Sequence, residues 1–234
     1  LAPGVLDGCR ARGCAVPVAD VLYGHRDDVY SLALLPDGRL ASGDADGEMR
    51  LWDVAAAGEG EVVPAVWRSS LRGACAAVTA LATLRDGHRL AAGVAYGRVE
   101  IWEVGVVPPV CTAIVACSGN GVRALAVLCN DCLAAGCGDG KVWVVDADAG
   151  VVVAKLTGHT RKVTAVAVIP DGTLASGSDD CTVRAWDVGA GVCVATLAGH
   201  NGSWRCWWMA GWRAGRLTAR CGCGMWAHAP ASAY

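Results

Sequence analysis

Short apolar runs separated by polar turn residues fill the first 200 positions of this chain. The clearest runs from Val163 to Ile169, apolar except at Thr164, and stops at Pro170-Asp171-Gly172, residues whose backbone preferences suit a tight hairpin. Leu174-Ala175-Ser176-Gly177 follows, then the turn residues Asp179-Asp180-Cys181, then Thr182 to Trp186, and last a looser run from Val192 to Leu197. Each run is too short for a helix, is rich in Val, Leu and Thr, and lacks a 3.6-residue apolar period. The pattern predicts four antiparallel strands joined by tight turns.

The unit recurs along the chain. Leu34 to Val54 repeats the order of Pro-Asp-Gly, Leu-Ala-Ser-Gly and Trp-Asp found from Ile169 to Val188, and Leu84 to Val104 and Leu128 to Ala147 are weaker copies. Anchors at Gly24-His25, Gly73-Ala74, Cys117-Ser118, Gly158-His159 and Gly199-His200 stand 49, 44, 41 and 41 residues apart. Four short strands in every forty or so residues make a β-propeller blade. The fold class expected is all-β, a partial propeller of four-stranded antiparallel blades with about four full repeats and a corrupted fifth. The motif order, Gly-His to Trp-Asp, resembles the WD-repeat family over residues 21–200, most completely in the first and fourth units. A closed seven-bladed ring needs roughly 300 residues at about 42 per blade. The chain is therefore expected to be a fragment of a longer propeller or an open arc whose unpaired edges favour association.

Candidate chemistry sits inside the repeats. His25, Ser42 and Asp46 precede Trp52 by 27, 10 and 6 residues, and His159, Ser176 and Asp180 precede Trp186 by the same offsets. Ser, His and Asp together suggest a hydrolase. A nucleophilic site is single, however, and no Gly-x-Ser-x-Gly pentapeptide occurs. Recurrence at identical offsets favours a structural network, and the family resemblance implies a hydrogen-bonded chain of His, Asp, Ser and Trp in each blade. The second unit keeps only Trp102, with Ala74, Ala92 and Tyr96 in the other places; the third keeps only Asp139, with Val145 for the Trp. Those two blades are expected to be held by packing alone and to open first. Cys129 and Cys132 have the spacing of half a zinc site, but no partner pair accompanies them, so they read as unpaired thiols. No catalytic residue, metal or cofactor is expected.

Composition narrows the partners. With 54% hydrophobic and 18% charged residues the chain can build a core. Lys and Arg number 20 against 22 Asp and Glu, a net charge of −2, which gives no footprint for nucleic acid or anionic lipid. The longest apolar stretch, Val104 to Cys117, holds Pro108 and Pro109 and is shorter than a membrane span, and no signal peptide is visible. Thirteen irregularly spaced Cys point to free thiols in a reducing compartment, cytoplasmic by preference with the nucleus as an alternative.

After Gly199-His200 the pattern breaks. The last 34 residues contain five Trp and no Asp, Glu, Ile or Val. Moving the reading frame back by one base, with codons constrained by Trp, Met and Cys, turns Trp207 to Ala210 into Leu-Val-Asp-Gly and allows Val-Arg-Val-Trp-Asp-Val-Gly at Cys221 to Ala227. The recovered Asp and Trp lie 15 positions apart, as do Asp37 and Trp52, and Asp171 and Trp186. The organisation expected is an unassigned segment or partial strand at 1–20, propeller blades over 21–200, and a tail at 201–234 that is a frameshifted fifth repeat from about Ser203. The basic and aromatic residues of that tail are not read as a nucleic-acid or membrane site.

The function expected is a non-catalytic scaffold or adaptor that binds a protein or peptide on the propeller face, with no small-molecule substrate. An alternative is the regulatory propeller of a larger enzyme, a ubiquitin-ligase adaptor or kinase-linked protein, whose catalytic part lies outside this chain. Residue-by-residue resemblance implies partner-facing roles for Asp28, Tyr30, Arg123, Lys162, Thr164 and Asp179. Tyr30 and Arg123 lead because Tyr and Arg dominate binding hot spots.

Overall fold

The computed structural model describes residues 22–53, 76–128 and 131–198, together with the backbone pairing of a strand at 66–72. The segment 1–20 and the tail 201–234 lie outside the described residues. Among those described, four blades follow one another, each a four-stranded antiparallel sheet paired in chain order. Blade 1 holds β1 (Val29–Leu34), β2 (Arg39–Asp44), β3 (Glu48–Asp53) and β4 (Val66–Arg72); blade 2 holds β5 (Val78–Thr83), β6 (Arg89–Val94), β7 (Arg98–Glu103) and β8 (Val110–Ala116). Blade 3 holds β9 (Val122–Val127), β10 (Cys132–Cys137), β11 (Val142–Asp146) and β12 (Val151–Leu156); blade 4 holds β13 (Val163–Val168), β14 (Leu174–Ser178), β15 (Thr182–Asp187) and β16 (Val192–Ala198).

The turn residues explain the hairpins. Where the first strand meets the second, a backbone N–H donates across the turn in all four blades: Leu35 to the Arg39 carbonyl (2.8 Å), Leu84 to Arg89 (2.9 Å), Leu128 to Cys132 (2.7 Å) and Ile169 to Thr173 (2.8 Å). At the second hairpin Gly47, Gly97 and Gly140 take left-handed φ values of 81°, 79° and 79°. Blade 4 puts Cys181 in that position at φ 65°, a conformation that costs an L-residue about 1 kcal/mol.

Packing between blades supplies the core. The first strands β1, β5, β9 and β13 lie against one another in succession. Each blade turns a forward face to its successor and a rear face to its predecessor. Ala41, Met49 and Leu51 of blade 1 meet Val78, Leu90 and Trp102 of blade 2. Ala91, Val99 and Ile101 of blade 2 meet Val122, Leu133 and Val145 of blade 3. Ala134, Val142 and Val144 of blade 3 meet Val163, Leu174 and Trp186 of blade 4. Each buried Val or Leu stabilises the stack by about 1.5–3 kcal/mol.

Candidate functional site

In blade 4 the loop between β12 and β13 carries His159, β14 carries Ser176 and β15 carries Trp186. The Trp186 indole Nε1–H donates to Ser176 Oγ at 2.7 Å, Ser176 Oγ lies 2.8 Å from His159 Nε2, and His159 Nδ1 lies 2.8 Å from Asp180 Oδ2. A carboxylate only accepts, so Nδ1 holds its proton and Nε2 accepts from the serine hydroxyl. Every donor in the chain points one way, from Trp186 through Ser176 and His159 to Asp180. Burial pushes the Asp180 carboxyl up, but hydrogen bonds from the Thr182 hydroxyl, the Thr160 N–H, the His159 ring and the Thr182 N–H more than reverse this and hold it well below the usual carboxylate range. The Thr182 hydroxyl and N–H reach Oδ1 at 2.6 and 2.9 Å, and the Thr160 N–H reaches Oδ2 at 3.0 Å.

Blade 1 builds the same chain from a different acid. Trp52 Nε1 donates to Ser42 Oγ at 2.7 Å, Ser42 Oγ lies 2.5 Å from His25 Nε2, and His25 Nδ1 lies 2.6 Å from Asp44 Oδ2. The expectation for Asp46 is corrected: Asp46 is exposed on the turn, and the buried Asp44 takes its place. Asp44 closes β2 two residues after Ser42, and alternate strand residues share a face. Blade 4 has Ser178 at this point, too short to reach the imidazole. Its hydroxyl instead donates to the Arg161 carbonyl (3.1 Å) and accepts the Asp180 N–H (3.1 Å), drawing the turn carboxylate inward. Both acids then accept the N–H of the residue that opens the third strand, Glu48 at 2.8 Å and Thr182 at 2.9 Å.

Blade 2 is not held by packing alone, and that expectation is corrected too. Glu100, fully buried, accepts the Trp102 indole N–H at 3.2 Å and pairs with Arg98 at 2.9 Å. A carboxylate two residues before the tryptophan thus replaces the serine that Ala92 lacks. In blade 3 Val145, Cys117 and Cys137 fill the equivalent interior, and burial raises the Cys117 thiol to about 11 and Cys137 higher still. Asp139 stays at the turn, paired with Lys141 at 3.1 Å.

The Ser-His-Asp order is that of a hydrolytic triad. Ser42 and Ser176 are only 2% and 1% exposed, and each Oγ already accepts an indole proton. Neither hydroxyl reaches a substrate; the groups satisfy one another, since a buried polar group left alone costs about 1–3 kcal/mol. His25, Asp44 and Glu48 also lie within 4.8 Å of one another, a spacing open to a metal ion. The histidine is taken by Asp44, and Glu48 is taken by Arg50 at 2.9 Å, so each of the three groups already has a partner within the protein. Cys132 is a free thiol at the start of β10, in the hairpin closed by the Leu128 N–H, and Cys129 lies outside the described residues.

The partner-facing candidates gather at one end of the blades. There the loop before the first strand is bonded to the second hairpin in every blade: Ala45 N–H to the Asp28 carbonyl (2.9 Å), Ala95 to Ala77 (3.0 Å), Gly138 to Gly121 (2.9 Å) and Asp179 to Lys162 (3.1 Å). Asp28, Lys162 and Asp179 belong to these junctions, and Lys162 pairs with Asp179 at 3.1 Å. Tyr30, Arg123 and Thr164 share a more specific placement. Pairing of the first and second strands skips one residue between Val29 and Ser31, Val78 and Ala80, and Val163 and Ala165, and the register breaks at the same point beside Val122. Each of the three candidates is the residue at such a bulge, a device that re-aims a side chain. Thr79 holds the place in blade 2, where sequence reasoning overlooked it; its hydroxyl donates to the Gly93 and Val122 carbonyls at 3.0 and 2.5 Å and ties blade 2 to blade 3. Tyr30 and Arg123 are exposed, as is Tyr96 on the second hairpin of blade 2, while Thr164 is half-buried.

The fold is a succession of propeller-type blades, two of which enclose a hydrogen-bonded chain of Trp, Ser, His and Asp. Residues 17–53 and 150–187 match the family model of the WD domain, G-beta repeat, so those two stretches of the chain are WD repeats. Repeats of this kind make protein-interaction scaffolds. No curated protein matches the chain. The second match begins at β12 and ends in β15, so the sequence repeat takes its outer strand from one blade and its other three strands from the next.

Proposed function

We propose that this chain is a non-catalytic adaptor that takes a protein or peptide segment on the bulged end of its blades. The observation that carries the reading is the bulge itself, repeated at one register position in every first strand and occupied by exposed Tyr30 and Arg123. Tyr supplies a large rigid surface and Arg a fork of donors, the two residue types most enriched at binding hot spots. The Lys162–Asp179 pair and Asp28 lie on the same end and give it both signs of charge. The six described cysteines are all free, which supports a reducing compartment such as the cytoplasm.

A quantitative affinity capture with the Tyr30→Ala, Arg123→Ala double variant tests the reading. The expected result is at least about tenfold weaker capture of the bound protein, since each hot-spot truncation costs about 2 kcal/mol or more, with an unchanged melting temperature. Capture equal to that of the unaltered chain would remove the bulged end as the binding surface.

A further inference from the structure

The three junctions between blades differ in what they carry at the bulged end. Four equivalent positions mark each one: the second-hairpin residue that donates to the loop, its counterpart in the next blade, and the two residues before that blade's first strand. Between blades 1 and 2 these are Ala45, Ala95, Ala76 and Ala77, and between blades 2 and 3 they are Ala95, Gly138, Asn120 and Gly121. Between blades 3 and 4 they are Gly138, Asp179, Arg161 and Lys162, and these four line an open cleft of about 410 Å³. That size falls within the range of about 300–1,000 Å³ usual for ligand sites.

The cleft owes its opening to Gly138 and its charge to blade 4. A Cβ on Gly138 would run into the Asn120 carbonyl oxygen, so this wall stays bare backbone, and the Gly138 N–H is already given to the Gly121 carbonyl at 2.9 Å. The donors left to the cleft are side chains. Lys162 Nζ lies 3.1 Å from Asp179 Oδ2, with the lysine side chain 50% exposed and the aspartate 19%, so the ammonium is the member of the pair shown to solvent. Asp179 Oδ1 is buried without a hydrogen bond. The Arg161 carbonyl accepts the Ser178 hydroxyl at 3.1 Å, while its guanidinium is exposed and has no carboxylate partner among the described residues. The neighbouring acids are engaged elsewhere, Asp139 with Lys141 and Asp180 with His159, Thr160 and Thr182.

We infer that this cleft receives the carboxylate of a Glu or Asp side chain from the bound protein segment, with Arg161 as the principal donor and Lys162 as the second. The inference rests on the reading of the bulged end as the binding surface. A guanidinium matches a carboxylate with a fork of parallel donors, and such charge-assisted bonds are roughly twice as strong as neutral ones. A basic side chain finds no free acceptor here, because Asp179 spends one oxygen on Lys162 and buries the other.

Fluorescence anisotropy of the full chain at low salt, with tetraglutamate, tetraglutamine and tetralysine peptides carrying a neutral dye, tests this. Tetraglutamate is expected to bind, and the other two at least about tenfold more weakly. Arg161→Glu weakens tetraglutamate by about tenfold or more without changing the melting temperature, since only an exposed side chain is altered; Lys162→Gln replaces it if that variant does not fold. Asp179→Asn frees the Lys162 ammonium and tightens tetraglutamate by about threefold. Arg26→Glu, at an exposed cation before blade 1, leaves binding unchanged. Absent tetraglutamate binding, equal binding of tetraglutamine, indifference to the change at the cleft, or an equal loss in Arg26→Glu each overturns the proposal. These arms alter neither Tyr30 nor Arg123. Capture that survives the Tyr30→Ala, Arg123→Ala change therefore strikes the reading of the bulged end, whereas capture lost there with tetraglutamate unbound strikes the cleft alone.

Discussion

Blades 1 and 4 and blades 2 and 3 have the same strands, turns and apolar interfaces, yet they solve the problem of a polar interior differently. In the outer pair a tryptophan at the end of the third strand is tied through serine and histidine to an acid, and the blade is stitched from its loop to its third strand. Blade 2 keeps the tryptophan and satisfies it with Glu100 alone. Blade 3 puts Val145 in the tryptophan's place beside Cys117 and Cys137, and carries an indole two positions earlier, at Trp143, whose buried N–H makes no hydrogen bond. The difference teaches that the full network goes with a tryptophan at the end of the third strand together with an imidazole in the preceding loop: blade 2 keeps the first without the second and needs one carboxylate, and blade 3, with neither, has no such chain.

The comparison can be broken most sharply at the acid. Asp180→Ala leaves the His159 ring and the N–H groups of Thr160 and Thr182 without their acceptor and is expected to cost about 2–4 kcal/mol in urea unfolding. Asp139→Ala at the equivalent place in blade 3 removes a turn ion pair and is expected to cost about 0.5 kcal/mol. Equal losses would show that the two kinds of blade are not different in this respect. Because the folded carboxyl of Asp180 is held below its unfolded value, the stability it contributes is present above about pH 4 and is lost as pH falls toward the folded value. The Asp180→Ala protein is expected to lose that part of its acid dependence.

A second substitution pair separates the two ways of supplying the acid. Asp44→Ala is expected to lower stability by about 1–3 kcal/mol, whereas Asp46→Ala, at an exposed turn, stays within about 0.5 kcal/mol. Thermal unfolding of both reads the difference, and the reverse order would return the role to Asp46. The smallest effect concerns the second hairpin of blade 4. Cys181→Gly relieves a left-handed φ of 65° and is expected to stabilise by about 0.5–1 kcal/mol, seen as a raised melting temperature. No gain would mean that the side chain of Cys181 offsets its backbone strain.

Much of this molecule was legible in the order of its residues. Apolar runs of strand length, Pro-Asp-Gly and Asp-Gly turns, and anchors at a near-constant interval imply blades, because strand period, turn chemistry and repeat length are local properties of the chain. The strand positions in blade 4 follow that reading closely, from Val163–Val168 to Val192–Ala198. The partners of buried side chains were less legible. Offset counting placed Asp46 beside Asp180, but strand alternation and the short Ser178 decide which carboxylate reaches the imidazole. Glu100 reads as an ordinary surface acid in a strand until Arg98 and Trp102 are found around it.

By itself, then, the sequence determined the blade, its length, its turns and the residues able to share protons inside it, since each depends on neighbours a few positions away. Only the tertiary structure decided which acid completes the chain in blade 1, that one residue in each first strand sits at a bulge, and that Glu100 takes over the indole of blade 2. Those depend on which side chains strand alternation and the stacking of blades bring together, which no local pattern describes.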